Sequence, residues 1–394
     1  MSGSPPRTGE PQTAGDRGPE AGRGARAAGR PLVHPADGNA LLIWAFWQVA
    51  AYIYMMLAAP GRTDAPILDR LTPWDSENFI AIAQYGYDGP PDMPDAPKLV
   101  AFFPGLPLLL RVLSTVIPDY DLAIVLVSFV ASAVVAVALA RLSESYREGT
   151  GTWTVVAFFL SPFAVFMLAG YSEAPFLALA LPAWLLARRG RWEAAAICAA
   201  LASTIRITGL FLAFGLAVRF LVAENGLRER GWRSAPWLVL PAVPVALFMG
   251  YLWARTGDLF AWQHAQAQYW GRYAEWPWQV FLNTWERSVN EEVLRTSYRE
   301  EMIAAGVLVA LIAWRVVRRD WPDVAYLAPQ AVALLVMSSF YMSVGRASLL
   351  WWPLYLSVGL TGSRRPWVFM AYLSVAAPVM AINVGNFTTG AWVG

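Results

Sequence analysis

The sequence predicts an all-α, polytopic membrane protein, and three observations carry that prediction. Of its 394 residues, 57% are hydrophobic, 14% aromatic and only 15% charged, which leaves too little polar surface for a water-soluble globule of this size. Apolar runs recur that are long enough to cross a bilayer, which takes about 20 mostly apolar residues. Arginines gather in the connections between alternate runs, the charge bias that orients membrane helices. The net charge of +2 comes with no basic patch suited to nucleic acid, so none is expected as a partner. A single cysteine, Cys198, excludes an internal disulfide, and two histidines, His34 and His264, are too few for a His-rich metal site. No metal and no cofactor is expected. The Ala, Gly, Pro and Arg bias, with Lys98 as the lone lysine, is that of a GC-rich bacterial genome.

Residues 1–38 are rich in Gly, Pro, Ala and Arg and hold almost nothing large and apolar, so they read as a disordered cytoplasmic tail. Residues 39–394 read as one transmembrane domain. Spans are expected near 39–59, 121–140, 152–170, 173–187, 192–205, 209–223, 235–254, 302–317, 323–342, 347–361 and 367–387. The run Phe102–Ile117 is short and carries Arg111, so it suits either a short span or a helix lying in the interface. Arginine distribution decides between them. If 102–117 does not cross, Arg141, Arg147, Arg188, Arg189, Arg191, Arg228, Arg230, Arg233, Arg315, Arg318, Arg319, Arg364 and Arg365 all fall on the cytoplasmic side. That gives about eleven spans, and it puts the loops 60–120 and 255–301 outside, with the turns at 170–173, 204–208 and 343–346.

The polar residues that look out of place in so apolar a chain collect on that outer side. In "TPWDSENFIAIAQYGYDG", Thr72 has the character of a helix N-cap, Pro73 of a first helical residue, and Asp75 of a capping acid three positions on. Phe79, Ile80, Ile82 and Ala83 form an apolar stripe that Gly86 ends, so a short interfacial helix is expected. Trp74 and Glu77 flank Asp75. Phe102-Phe103-Pro104-Gly105 reads as a loop turning into a helix, with its aromatic pair at the interface. Tyr171, Ser172 and Glu173 fall between two spans with almost no loop, where an acid is costly unless it meets water or a partner. Arg206 and Arg346 occupy outer turns against the charge bias, so each needs a carboxylate or a phosphate to hold it. "DLFAWQHAQAQYWGRY" interleaves aromatics with amides around His264, a mix that suits sugars and equally any interfacial helix.

Taken in order, Trp74-Asp75-Ser76 with Tyr85-Gly86-Tyr87, Ala101-Phe102-Phe103-Pro104-Gly105, Tyr171-Ser172-Glu173, and Arg206 in "TIRITG" resemble the motif series of the second mannosyltransferase of GPI-anchor assembly. That PIG-V-like family has bacterial members, notably in actinobacteria, and belongs to the GT-C glycosyltransferases. The resemblance implies a GT-C-type multi-span helical fold with interfacial helices in the first outer loop. It implies an enzyme of the cell membrane that takes mannose from polyprenyl-phosphate-mannose on the extracytoplasmic side, with inversion. Asp75 would be the general base. Trp74, Glu77, Phe103, Tyr171, Glu173, Arg206, His264 and Arg346 would bind donor or acceptor, Arg206 or Arg346 taking the phosphate. Such bacteria are not expected to make GPI anchors, so the acceptor is left open among a glycolipid, a polysaccharide and a protein. Related GT-C enzymes also use glucose or arabinose. The rival class is a transporter or flippase of a lipid-linked glycan, whose site would lie near the bilayer midplane.

Overall fold

The computed structural model describes residues 34–58, 65–91, 96–223 and 231–394. Most of the expected tail lies outside the described residues, as do Arg228 and Arg230. Every regular element described is helical. In chain order these are Pro35–Ala58 (α1), Asp75–Tyr85 (α2), Gly105–Leu113 (α3), Tyr120–Glu144 (α4), Gly151–Phe159 (α5), Glu173–Arg188 (α6), Trp192–Ile205 (α7), Thr208–Val222 (α8) and Gly231–Ser234 (α9). They continue with Ala242–Thr256 (α10), Ala261–Trp270 (α11), Pro277–Asn290 (α12), Arg295–Val317 (α13), Trp321–Leu335 (α14), Val344–Ala347 (α15), Trp352–Gly362 (α16) and Pro366–Thr388 (α17).

The protein is therefore an all-helical, polytopic membrane protein, and each expected span finds a helix. Among the described residues, four stretches are long and apolar enough to cross a bilayer unaided: Pro35–Leu57, Tyr120–Glu144, Trp232–Thr256 and Pro366–Thr388. Of the shorter helices, α6 is largely enclosed. α6 packs between α4 and α7 and buries Phe176, Leu177, Leu181 and Trp184 completely.

Several boundaries differ from the sequence reading: the span expected at 323–342 ends at Leu335, that at 302–317 begins at Arg295, that at 235–254 is α-helical from Ala242, and that at 347–361 begins at Trp352. Three further differences have a visible physical reason. α1 starts at Pro35 rather than at residue 39, because Asp37 in its first turn accepts two hydrogen bonds from Arg141 of α4, at 2.8 and 2.5 Å. The expected span 152–170 is α-helical only to Phe159. Ser161-Pro162 breaks it, since proline lacks the N–H and disfavours the helical conformation of the residue before it; 164–167 then form a 3-10 turn. Finally, α3 has nine residues. At 1.5 Å per residue it is about 14 Å long, about half the ~30 Å hydrocarbon thickness. It buries Leu106, Pro107 and Leu110 and exposes Leu108, Leu109 and Val112. Arg111 donates to the Ala83 and Ile82 carbonyls near the end of α2, at 2.8 and 3.3 Å, where helical carbonyls lack partners.

Alternating chain direction sorts the connections to two ends of the bundle. Contacts confirm the sorting. At one end Arg188 donates to Ser145 and Arg147 to Ser363. At the other, Arg346 reaches Asp75 and Glu173, Trp262 donates to Ala101, and Ser297 to Trp392. The second end holds the cavity.

Candidate functional site

The cavity measures about 610 Å³, within the range of small-ligand sites. α2 supplies one side of it, with Trp74, Asp75 and Glu77; the turns 171–172 and 205–207 supply the floor; α15 supplies Arg346. The segment 98–103 and α11 form the facing wall.

Local bonds fix the first side. Gly170 N donates to Leu71 O at 2.9 Å, Ser76 Oγ donates to Gly170 O at 2.7 Å, and the Tyr171 hydroxyl donates to Pro73 O at 3.0 Å. The two polar motifs are thus stitched into one unit. The expected cap differs: α2 begins at Asp75, with Trp74 before it. Thr72 Oγ1 turns back to Leu68 O at 3.0 Å, so it satisfies no α2 amide. This frees the Asp75 carboxylate from local capping. Trp74 adopts φ 58° and ψ −104°, a region costly for a residue with a Cβ. Ser343, just before α15, has φ 59°. The two helix starts that deliver Asp75 and Arg346 are therefore both strained, and such strain persists only where surrounding contacts over-determine it. Glu301 supplies one such contact, accepting from Val344 N at 2.6 Å and Gly345 N at 3.0 Å. Gly345 lies so close to Phe163 that an added Cβ would stand 2.2 Å from its ring.

A charged chain runs along the floor. Arg346 Nη1 meets Asp75 Oδ2 at 2.6 Å and its Nε meets Glu173 Oε1 at 2.5 Å. Arg206 Nη1 meets the same Glu173 oxygen at 2.5 Å and Ser172 Oγ at 2.6 Å. The Arg346 guanidinium also lies 4.5 Å from the Tyr171 ring centroid and 5.0 Å from that of Phe166, a cation–π setting. Glu173 is fully buried behind the floor, at the start of α6, where the helix dipole favours an anion. An uncompensated charge there would be strongly destabilising; two arginines compensate it. Asp75 Oδ1 makes no hydrogen bond among the described residues and lies on the cavity. Glu77 lines the cavity with no side-chain partner among the described residues.

On the facing wall, Trp262 Nε1 and Gln266 Nε2 both donate to Ala101 O, at 3.0 and 3.2 Å, and the Phe103 ring packs on Trp262. The Tyr87 hydroxyl donates to Phe102 O at 2.8 Å, tying the aromatic motifs together. α11 ends at Gly271, and Arg272 follows, donating to Met342 O at 2.8 Å. Burial takes the Arg272 guanidinium down to about 10, against the pull of Glu301, so it stays cationic at neutral pH.

The fold thus gathers Trp74, Asp75, Glu77, Phe103, Tyr171, Arg206 and Arg346 on one cavity, with Glu173 directly beneath. It does not bring in His264. That side chain is largely exposed and pairs with Asp258 at 2.6 Å; the hydrogen bond holds the Asp258 carboxyl below its usual range. On α11 the cavity-facing positions are Trp262, Gln266, Tyr269 and Trp270, which turns residue 264 outward. Sequence reading took Arg272 only as part of the aromatic–amide stretch 258–273 and did not single out Glu301 or Gln266. Gln266 shares the helical spacing of Trp262 and Trp270, a signal the aromatics carried and the amide could have joined. Among the described residues no cluster of His, Cys, Asp and Glu could hold a metal ion.

Residues 62–223 match the family described as Mannosyltransferase (PIG-V), a stretch that holds the floor and most of the first side. That segment is similar to the PIG-V mannosyltransferase family. Curated relatives include the GPI alpha-1,6-mannosyltransferase 2 of Cricetulus griseus, 32% identical over 198 residues, 47% of this chain and 37% of that one. The Mus musculus protein of the same name is 33% identical over 208 residues, 49% of this chain and 39% of that one. The Homo sapiens protein is 31% identical over 169 residues, 39% and 33% of the two chains. The match spans little more than a third of these relatives. No solved structure matches.

Proposed function

We propose that the protein is a membrane mannosyltransferase, moving mannose from polyprenyl-phosphate-mannose to an acceptor hydroxyl by a single inverting displacement. The observation that carries this reading is the Asp75 carboxylate, anchored through one oxygen by Arg346 and open to the cavity through the other, inside the family-matched segment. Asp75 Oδ1 takes the proton as the acceptor oxygen attacks the anomeric carbon. The bond from that carbon to the phosphate oxygen breaks, and its electron pair leaves on the lipid phosphate. A base held in one rotamer by a charged partner suits this role. The lipid phosphate is a weakly basic leaving group, so no protein acid need protonate it. Glu77 accepts a hydrogen bond from the acceptor, and the Trp262–Gln266 wall stacks and bonds the sugar.

In this reading 39–394 form one catalytic domain and the cavity end faces away from the cytoplasm, consistent with the arginine bias toward the other end. The clustering of the cavity's polar groups at one end supports an enzyme over a transporter with a midplane site. The acceptor class is left to experiment. Purified protein incubated with polyprenyl-phosphate-mannose and a panel of hydroxyl acceptors should release sugar-free polyprenyl phosphate. The Asp75→Asn variant, folded and inserted, should release none. Wild-type turnover in that variant would remove Asp75 as the base.

A further inference from the structure

The cavity is lined by four cations, and two of them are already committed. Arg346 spends two guanidinium nitrogens on Asp75 and Glu173, and Arg206 shares Glu173. Those two arginines and two acids form a closed, balanced set. Their charges are already neutralised by those acids, so an incoming anion there would add a third negative charge to a balanced set.

Arg272 and Lys98 are different. Neither makes an ion pair among the described residues; Arg272 donates from Nη2 to Met342 O and, unlike Arg206, bonds no carboxylate there. Lys98 makes no side-chain hydrogen bond among the described residues, and both line the cavity. They belong to the same wall: the 3-10 turn that carries Lys98 ends at Ala101, whose carbonyl is clamped by Trp262 and Gln266 of α11, and α11 runs directly into Arg272. The Phe102 and Trp270 rings pack edge to face between them, with centroids 5.5 Å apart. A forked guanidinium with open donors beside an ammonium on a flexible stem is a phosphate-binding set.

We propose that Arg272, together with Lys98, forms the subsite for the phosphate of the lipid-linked donor, and that Arg206 and Arg346 do not. This rests on the donor reading above. In it, the two floor arginines have a different job: they hold Glu173 and Asp75 in place. The negative charge that develops on the leaving phosphate is met by these two cations, which bond no carboxylate among the described residues.

The test is binding of polyprenyl monophosphate to the purified full chain in lipid nanodiscs, with no sugar transfer required. Uncharged polyprenol of the same length is the control. Arg272→Gln should weaken phosphate binding about ten- to hundred-fold, the worth of a hydrogen bond to a charged group. Lys98→Gln should weaken it about tenfold, and Arg272→Lys should restore part of the loss. Polyprenol binding should not move in any of them. If Arg272→Gln does not fold, Lys98→Gln decides, because Lys98 makes no side-chain bond among the described residues that folding would miss. Wild-type affinity for polyprenyl monophosphate in both glutamine variants would overturn the assignment and leave the donor reading standing. Equal competition by phosphatidylglycerol would also overturn it, since the site would then be a general lipid-phosphate site. No binding by the wild-type chain would bring down the donor reading and this assignment with it.

Discussion

Arg315 and Arg346 sit at opposite ends of the bundle in outwardly similar settings. Each side chain is 10% exposed and bridges two carboxylates. Arg315 bonds Asp320 at 3.0 Å, in the turn that follows it, and Asp323 at 3.1 Å, in the first turn of α14, and donates to Pro353 O and Ser357 Oγ on α16. Arg346 bonds Asp75 and Glu173, which precede it by 271 and 173 residues. The first arginine closes a turn and pins a neighbouring helix. The second draws three distant segments to one point and leaves a carboxylate oxygen facing an open cavity. The same ion-pair chemistry is structural where its acids are local in the chain. It becomes site-building where they come from separate motifs and one of them keeps access to a ligand.

This contrast can be broken by experiment. Its largest consequence is that Asp75→Asn should lower turnover by about 10²- to 10⁴-fold, the usual worth of a general base, while thermal unfolding in detergent stays near wild type. A folded, fully active variant would erase the distinction between the two ends. Glu173→Gln should cut both transfer and stability, because Arg206 and Arg346 then face each other with one carboxylate fewer; a loss of about 3–5 kcal/mol is expected, read as a lower unfolding temperature. Glu77→Gln should raise the acceptor KM about tenfold with kcat retained, the pattern of lost ground-state binding. A kcat loss as deep as that of Asp75→Asn would instead make Glu77 the base. At the far end, Asp323→Asn should destabilise by about 1–3 kcal/mol and leave turnover per folded molecule unchanged. His264→Ala should shift turnover less than about twofold, as expected of an exposed surface change; a larger loss would place α11's outer face in the reaction.

Much of the helical order was legible in advance. Spans announce themselves because a helix facing lipid must be apolar along about 20 residues, and that signal needs no knowledge of neighbours. The break at Ser161-Pro162 was equally local, but the apolar run on both sides of it concealed it. The Thr72 cap failed for the opposite reason. Its spacing was right for a capping box, yet tertiary bonds from Tyr171 and Ser76 set the chain path at Pro73 and moved the helix start to Asp75. His264 was drawn in by its company of aromatics and amides; only the rotation of α11 against the 98–103 segment decides which of those residues face the cavity. Glu301 left no motif because its work is to accept two amides from a turn more than forty residues away.

By itself, the sequence determined the class of the molecule, the order of its membrane helices, and the polar residues that had no business in lipid. These follow from composition and short-range periodicity, and a bilayer enforces both. The tertiary structure alone decided which charges neutralise one another. Lateral packing of helices set Arg346 between Asp75 and Glu173, gave Arg206 the same acid, and left Arg272 and Lys98 on the cavity without an ion pair among the described residues. Charge compensation depends on distances of a few ångströms between segments hundreds of residues apart, and no local pattern in a chain encodes them.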